Sequence, residues 1–207
     1  MNTIARILRK TEDILNDGYN KMQFRRYQIS IGEGTKINGK IVVSCEKMNE
    51  KHITLPGIEI GRNCKINSGS KYNLIGGEPK TILRTIDRGH ITIKDHAAMS
   101  NCVIVSMCKV VIGEYVMIGG DVRIFDTDFH SLKYEQRIIY PDYHIISKPV
   151  VIQKGAFIGT GSMILKGVTV GAYAVVAAGS VVSKDIPPQE VWGGVPCRYI
   201  RKIEQRE

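Results

Sequence analysis

From residue 152 onward an aliphatic residue returns every six positions: Ile152, Ile158, Ile164, Val170, Val176 and Val182. Four places after each stands a small or β-branched residue: Ala156, Ser162, Val168, Ala174, Ser180 and Ile186. Ile112, Ile118 and Ile124 follow the same rule. Before them come Ile93, Met99 and Val105, with one extra residue ahead of the next block. Ile31 and Ile37, then Ile60 and Ile66, are fainter copies near the start. A period of six fits neither the 3.6 of a helix nor the 2 of an ordinary strand. It predicts a parallel β-helix of hexapeptide repeats, each block a short strand and a turn. Three blocks make one triangular coil of about 18 residues, and coils stack about 4.8 Å apart. The first-position aliphatic points inward onto its counterpart in the next coil. The small residue four places on fits a crowded corner. Residues 29–187 would hold about eight coils of this mostly β solenoid.

The pattern fails at the N-terminus and at three interruptions further on. Residues 3–17 carry Ile4, Ile7, Leu8, Thr11, Ile14 and Leu15 on one helical stripe, and Gly18 follows as a stop signal. This predicts a short amphipathic helix within an N-terminal segment, 1–28, packed on the main domain. A membrane-surface helix is the alternative, since Arg6, Arg9 and Lys10 are basic, but Glu12, Asp13 and Asp17 oppose it. KMNEKH and GGEPKT read as loops. Ile124 and Ile152 are 28 positions apart, where the period asks for 24 or 30. A loop over about 125–150 therefore projects from the solenoid, and such loops often carry function.

Composition narrows the class. The chain has 207 residues, 21 glycines and an aromatic content of only 7%, which suits tight turns around a narrow core. Its net charge of +9 favours anionic partners, although a merely solubilising surface explains it as well. Five dispersed cysteines without a CxxC pair fit a reducing compartment. No apolar run is long enough to span a membrane, and nothing resembles a secretory signal, so a cytoplasmic location is expected. The basic residues lack a nucleic-acid recognition motif.

The loop opens with DTDFHS. His130 is the residue best suited to take a proton near neutral pH. In extended backbone Asp126, Asp128 and His130 point the same way. Either acid would orient the imidazole or bind a ligand. His144 precedes the return to the repeat; it lines a pocket or holds the loop. Tyr134, Tyr140 and Tyr143 either offer flat faces to a ligand or pack the loop. DxDxH with His144 supplies metal ligands on paper, but the spacing matches no specific metal motif, and none is assigned.

The repeat, most clearly over 93–203, resembles the left-handed parallel β-helix acyltransferases, and within them the galactoside, maltose and surface-polysaccharide sugar O-acetyltransferases. The tail VSKDIPPQEVWGGVPCRYIRKI resembles that family's closing motif, a Lys-Asp-Ile-Pro segment before a Gly-Asn-Pro-Ala-like turn and a basic helix. Here the turn reads Gly194-Val195-Pro196-Cys197, and Trp192 is unusual; it would seal the donor groove or pack on the helix. The left hand comes from this resemblance alone. A C-terminal turn and helix over 188–207 follow from it too.

What the resemblance implies is an acetyl-CoA-dependent transfer of an acetyl group to a sugar hydroxyl in surface-polysaccharide biosynthesis. His130 would be the general base in a direct attack with no acyl-enzyme. Asp126, Asp128, His144 and Tyr134 would orient or bind the acceptor, a sugar or nucleotide sugar. Gly161, Ser162, Ala178 and Gly179 would line the donor groove, with a backbone N–H near Ser162 facing the oxyanion. Lys184 and Arg198 would meet the coenzyme A phosphates. The family's homotrimers place such sites between subunits. Two other readings stay open: N-acetylation or a small non-sugar acceptor on the same scaffold, and a non-enzymatic or metal-binding β-helix.

Overall fold

A computed structural model describes residues 3–46, 57–75, 80–139 and 141–204. The solenoid is present as three sheets, of six, eight and six strands, parallel except for one terminal edge strand, that form the faces of a triangular prism. The first face stacks Ile31, Ile60, Ile93, Ile112, Ile152 and Val170. The second stacks Ile37, Ile66, Met99, Ile118, Ile158 and Val176. The third stacks Val43, Leu83, Ile104, Ile124, Ile164 and Val182. All but Ile31 and Ile37 are buried, so one continuous aliphatic column fills the prism. At about 25 cal/mol per Å² of apolar surface, this stacking is the main stabilising term. The small-residue corners are as expected: Ala156, Ser162, Val168, Ala174, Ser180 and Ile186 are all buried.

The regular hexads turn their corner through a left-handed residue three places after the aliphatic. Glycine takes this place at 155, 161, 167 and 179, while Tyr173, Tyr115 and His96 take it at the usual steric cost.

Five expectations need correction. The described residues form six complete coils rather than about eight, because the three interruptions take up the remaining length. In the third coil Ile104, not Val105, pairs with Ile124 and Leu83. The corner at Asn101 comes one residue early, with Asn101 itself left-handed, and the lost residue returns before Val110.

The N-terminal helix, α1 (Thr3–Arg26), runs through Gly18. A helical glycine costs about 1 kcal/mol. Beyond it, buried Asn20 donates to Gly39 O and accepts from Ile41 N, and Phe24 and Tyr27 pack on the core. This docking holds the last two turns in place.

Nor does the described part of the expected stripe dock, for Ile14 and Leu15 are 64% and 68% exposed; the side chains of Ile4, Ile7 and Leu8 lie outside the description. Glu12 and Asp13 instead face the domain, paired to Lys71, and Asp13 also hydrogen-bonds Tyr72.

Finally, the described C-terminus is a β-hairpin in place of a helix. Glu190–Gly193 continues the second face beside Val175–Val176, and Arg198–Lys202 folds back antiparallel onto it. Trp192 occupies the next aliphatic place above Val176 and meets Tyr199 edge-on at 6.3 Å. That pairing explains the local extended structure. The KMNEKH segment and most of GGEPKT lie outside the described residues, as does Tyr140.

Candidate functional site

The projecting loop leaves the prism after strand Arg123–Phe125 and returns at Val150–Ile152, on the corner between the third and first faces. Its two stems are zipped together. Lys148 N donates to Asp126 O, Asp128 N donates to Ile146 O, and Thr127 bridges Ser147 in antiparallel fashion. The loop is therefore an antiparallel finger whose base is as firmly bonded as a sheet.

The Asp126 carboxylate is engaged by the chain itself. It is fully buried and accepts from Ser106 Oγ at 2.6 Å, Met107 N at 2.7 Å and Cys108 N at 2.9 Å. It fastens the 106–108 turn at the foot of the finger, and each donor it takes is spent there. Asp128 points elsewhere again, pairing with Lys166 Nζ at 2.6 Å. Its other oxygen is buried without a partner.

His130 stands at the bend beyond the stem, exposed to solvent. The residue before it, Phe129, has φ +65°, an uncommon value for a bulky side chain. Its ring packs edge-on against Phe125 at 5.1 Å. This anchored, left-handed residue turns the chain so that the histidine faces outward rather than following the strand.

What holds the bend is Asp142, which sequence reasoning passed over. Its buried carboxylate accepts from Ser131 N at 2.7 Å, from the Ser131 hydroxyl and from His144 N at 3.1 Å. One side chain thus ties the residue after His130 to the backbone of His144. The Ser131 hydroxyl and amide hold the Asp142 carboxyl below the usual carboxylate range, and the nearby His130 adds to this. Arg137 closes the same turn by donating to Ser131 O and Leu132 O. The available signal was the acid two residues before His144, the spacing of an Asx turn. His144 and Tyr134 are both exposed, Tyr134 on the helical turn Tyr134–Arg137.

The expected donor residues lie on a different corner, between the second and third faces. A Cβ added at Gly161 or Gly179 would meet nothing within 4 Å, so this edge is open. The amides of Gly159, Gly161, Ala177 and Gly179 all donate to neighbouring coils. Among the described residues those of Thr160 and Ala178 have no such partner, and they sit one coil apart. Ser162 is buried. Its hydroxyl donates to Ala177 O, and its amide donates to Gly159 O at 3.3 Å, so that amide is not available to an oxyanion.

Arg198 joins this corner from above: it pairs with Gly193, whose Cα lies over Ala177. Lys184 does not. It is exposed on the loop's corner, one coil from Lys166. The structure therefore gathers Gly161, Ala178, Gly179 and Arg198, and separates them from His130 and Lys184.

The thiols offer no rival chemistry. Burial pushes all five cysteines up, Cys102 to about 12. Among the described residues no three His, Cys, Asp or Glu side chains converge as a metal set, and no helix is long and apolar enough to cross a membrane. His96 is stacked on Tyr115 at 4.6 Å, and His90 lies 3.8 Å from Glu59.

Residues 149–184 match the family model "Bacterial transferase hexapeptide (six repeats)". The galactoside O-acetyltransferase of Lactococcus lactis is 31% identical over 176 residues, 80% of this chain and 78% of that one. The galactoside O-acetyltransferase of Escherichia coli is 40% identical over 107 residues, 52% of this chain and 51% of its own. The chain likewise spans about half the length of putative acetyltransferases from Schizosaccharomyces pombe and Saccharomyces cerevisiae. Among solved structures, a hexapeptide-repeat acetyltransferase of Vibrio cholerae O1 biovar eltor, complexed with acetyl coenzyme A, superposes with a TM-score of 0.55. It is 25% identical, over 99% of this chain and 91% of that one.

Proposed function

Because the chain belongs to the hexapeptide-repeat, left-handed parallel β-helix acyltransferases related to the sugar O-acetyltransferases, we propose that it transfers an acetyl group from acetyl-CoA to a sugar hydroxyl in surface-polysaccharide synthesis. The observation that carries this reading is the solvent-facing His130 on a finger fixed by Asp126 at its base and Asp142 at its bend. A general base must be held still yet reachable, and this histidine is both.

His130 takes the proton of the acceptor hydroxyl as its oxygen attacks the thioester carbonyl. The new C–O bond forms, the C–S bond breaks, and the imidazolium returns its proton to the departing thiolate. Asp142 keeps the bend in place through Ser131 and the amide of His144. The unspent amides of Thr160 and Ala178 suit the amide oxygens of a pantetheine arm lying along the open corner. Arg198 suits the phosphates at its upper end. His144 and Tyr134, exposed on the same finger, suit an acceptor ring.

Finger and groove occupy different edges of one prism. Their separation favours a site completed by a neighbouring copy, with the finger of one chain laid against the groove of the next, as in a cyclic trimer.

The test is release of coenzyme A thiol from acetyl-CoA against sugars, nucleotide sugars and small alcohols, run with His130→Ala. Acceptor-dependent release that is lost in the variant, while acetyl-CoA still binds, supports both reaction and base. Release unaffected by the substitution removes His130 from its role. Product mass and alkali lability separate ester from amide.

A further inference from the structure

We propose that residues 69–75 form the end wall of the donor groove, and that Leu74 and Ile75 set the length of acyl chain the protein accepts. The proposal rests on the donor reading above and adds the substrate class within it: short acyl thioesters, with acetyl preferred.

The corner between the second and third faces descends through Gly193–Gly194, Ala177–Gly179, Gly159–Gly161 and Gly119–Asp121. It is open at Gly179 and Gly161. At Gly120 it is shut. A Cβ there would stand 2.5 Å from Ile75 O and 3.4 Å from Ile75 Cγ2. The groove is therefore blind, with Ile75 across its lower end.

The wall is fixed from two sides. Asn101, fully buried beneath it, donates through Nδ2 to Asn73 O at 2.9 Å and accepts from Gly69 N at 2.7 Å. Ile75 N donates to Asn73 Oδ1 at 2.9 Å. On the far side Lys71 reaches Glu12 and Asp13 of α1, each at 2.9 Å, and Tyr72 hydrogen-bonds Asp13. A segment bonded both to the solenoid and to α1 keeps its place when a ligand presses on it.

Leu74 and Ile75 remain 83% and 58% exposed, an apolar pair set at the closed end of an otherwise small-residue channel. Direction follows from charge. Arg198 and Arg201 lie at the upper end, on the hairpin over Ala177, and would hold the donor's phosphates. The thioester then lies toward Gly120, three coils or about 14 Å below Gly194. An acetyl methyl would stop against Ile75, and each further methylene would have to displace it. A hydrophobic pocket discriminates by about 10- to 200-fold per methylene.

The experiment compares kcat/KM for acetyl-, propionyl- and butyryl-CoA in the wild type, Ile75→Ala and Leu74→Ala/Ile75→Ala, with assembly mass measured alongside. Both residues are exposed, so the variants are expected to fold. The expected result is a wild type that favours acetyl over butyryl by at least about tenfold, and a butyryl-to-acetyl ratio that rises by about tenfold or more in the double variant. An unchanged ratio in variants that still use acetyl-CoA overturns the wall while leaving the donor reading intact. An unchanged ratio with reduced assembly mass also overturns it and assigns the pair to a contact between copies. A wild type that transfers no acyl group from any of the three overturns the donor reading and the wall together.

Discussion

Replacing Asp126 by alanine separates two roles that the DTDFH sequence leaves equally open. The buried carboxylate takes three donors. Losing it leaves Met107 N and Cys108 N without a partner in half-buried positions, at about 1 kcal/mol each. The Ser106 hydroxyl can fall back on His90 O, 3.1 Å away, so its share is also near the low end, about 1 kcal/mol. The sum is about 3 kcal/mol. For a chain of this size that is a fall in Tm on the order of 10 °C. Asp126→Asn keeps one acceptor but turns an NH2 toward donors, so an intermediate loss is expected. The assay is urea unfolding followed by far-UV circular dichroism, paired with kcat/KM on the same samples at a temperature where all remain folded. Asp126→Ala with wild-type stability and a selective loss of kcat would refute the reasoning, because that is the signature of an acid acting on the imidazole.

Four further outcomes are expected. His130→Ala should lower kcat by about 10²- to 10⁴-fold while its unfolding midpoint stays within about 0.5 kcal/mol of wild type, since the side chain is exposed; steady-state kinetics and denaturation check the two halves. Asp142 has a depressed carboxyl, so its hold on the bend is present above the ordinary carboxylate pKa of about 3.9 and is lost as pH falls below it. Hydrogen exchange at residues 129–145 should then quicken at acid pH before the coils do. Cys102, raised to about 12 by burial, stays protonated in the fold. Its contribution to stability is therefore full below the unfolded thiol pKa of about 8.5 and declines as pH rises toward 12. Cys102 should resist iodoacetamide at pH 8 until denaturant is added, as mass mapping would show. Asn20→Ala removes two buried bonds to residues 39 and 41 and should cost about 1–3 kcal/mol, with faster exchange in the last turns of α1.

The hexad was legible because the solenoid core is built from one repeated contact, an aliphatic on the aliphatic of the next coil. Such a contact writes itself into the chain at fixed spacing, as from Ile152 to Val182. It was misread where two compensating shifts cancel: Val105 is as aliphatic as Ile104, and only the corner at Asn101 decides which one faces in. Gly18 was a sound stop signal by propensity, overridden by a polar residue, Asn20, whose value lies wholly in partners 19 and 21 positions away. The tail deceived for a similar reason. The Trp192–Tyr199 contact and the free edge of the second face decide between helix and strand, and neither is visible locally. In the finger, His130 could be singled out as a candidate by chemistry alone. Asp126 and Asp142 could not be told apart without seeing that one faces the 106–108 turn and the other the bend.

The terminal hairpin has a consequence for how the protein stays discrete. A stack of parallel coils is a template at both ends, because the last coil offers the next chain the same amides and carbonyls it received from the coil before. Arg198–Lys202 runs antiparallel to its neighbour and carries Arg198, Arg201 and Lys202, so the growth direction is reversed and the rim is charged. At the other end α1 is fastened to the first coil through Asn20, with Phe24 and Tyr27 packed on the core. Without the hairpin, the last coil would present an open edge of this kind. These two segments keep a repeat that could extend indefinitely to a fixed number of coils.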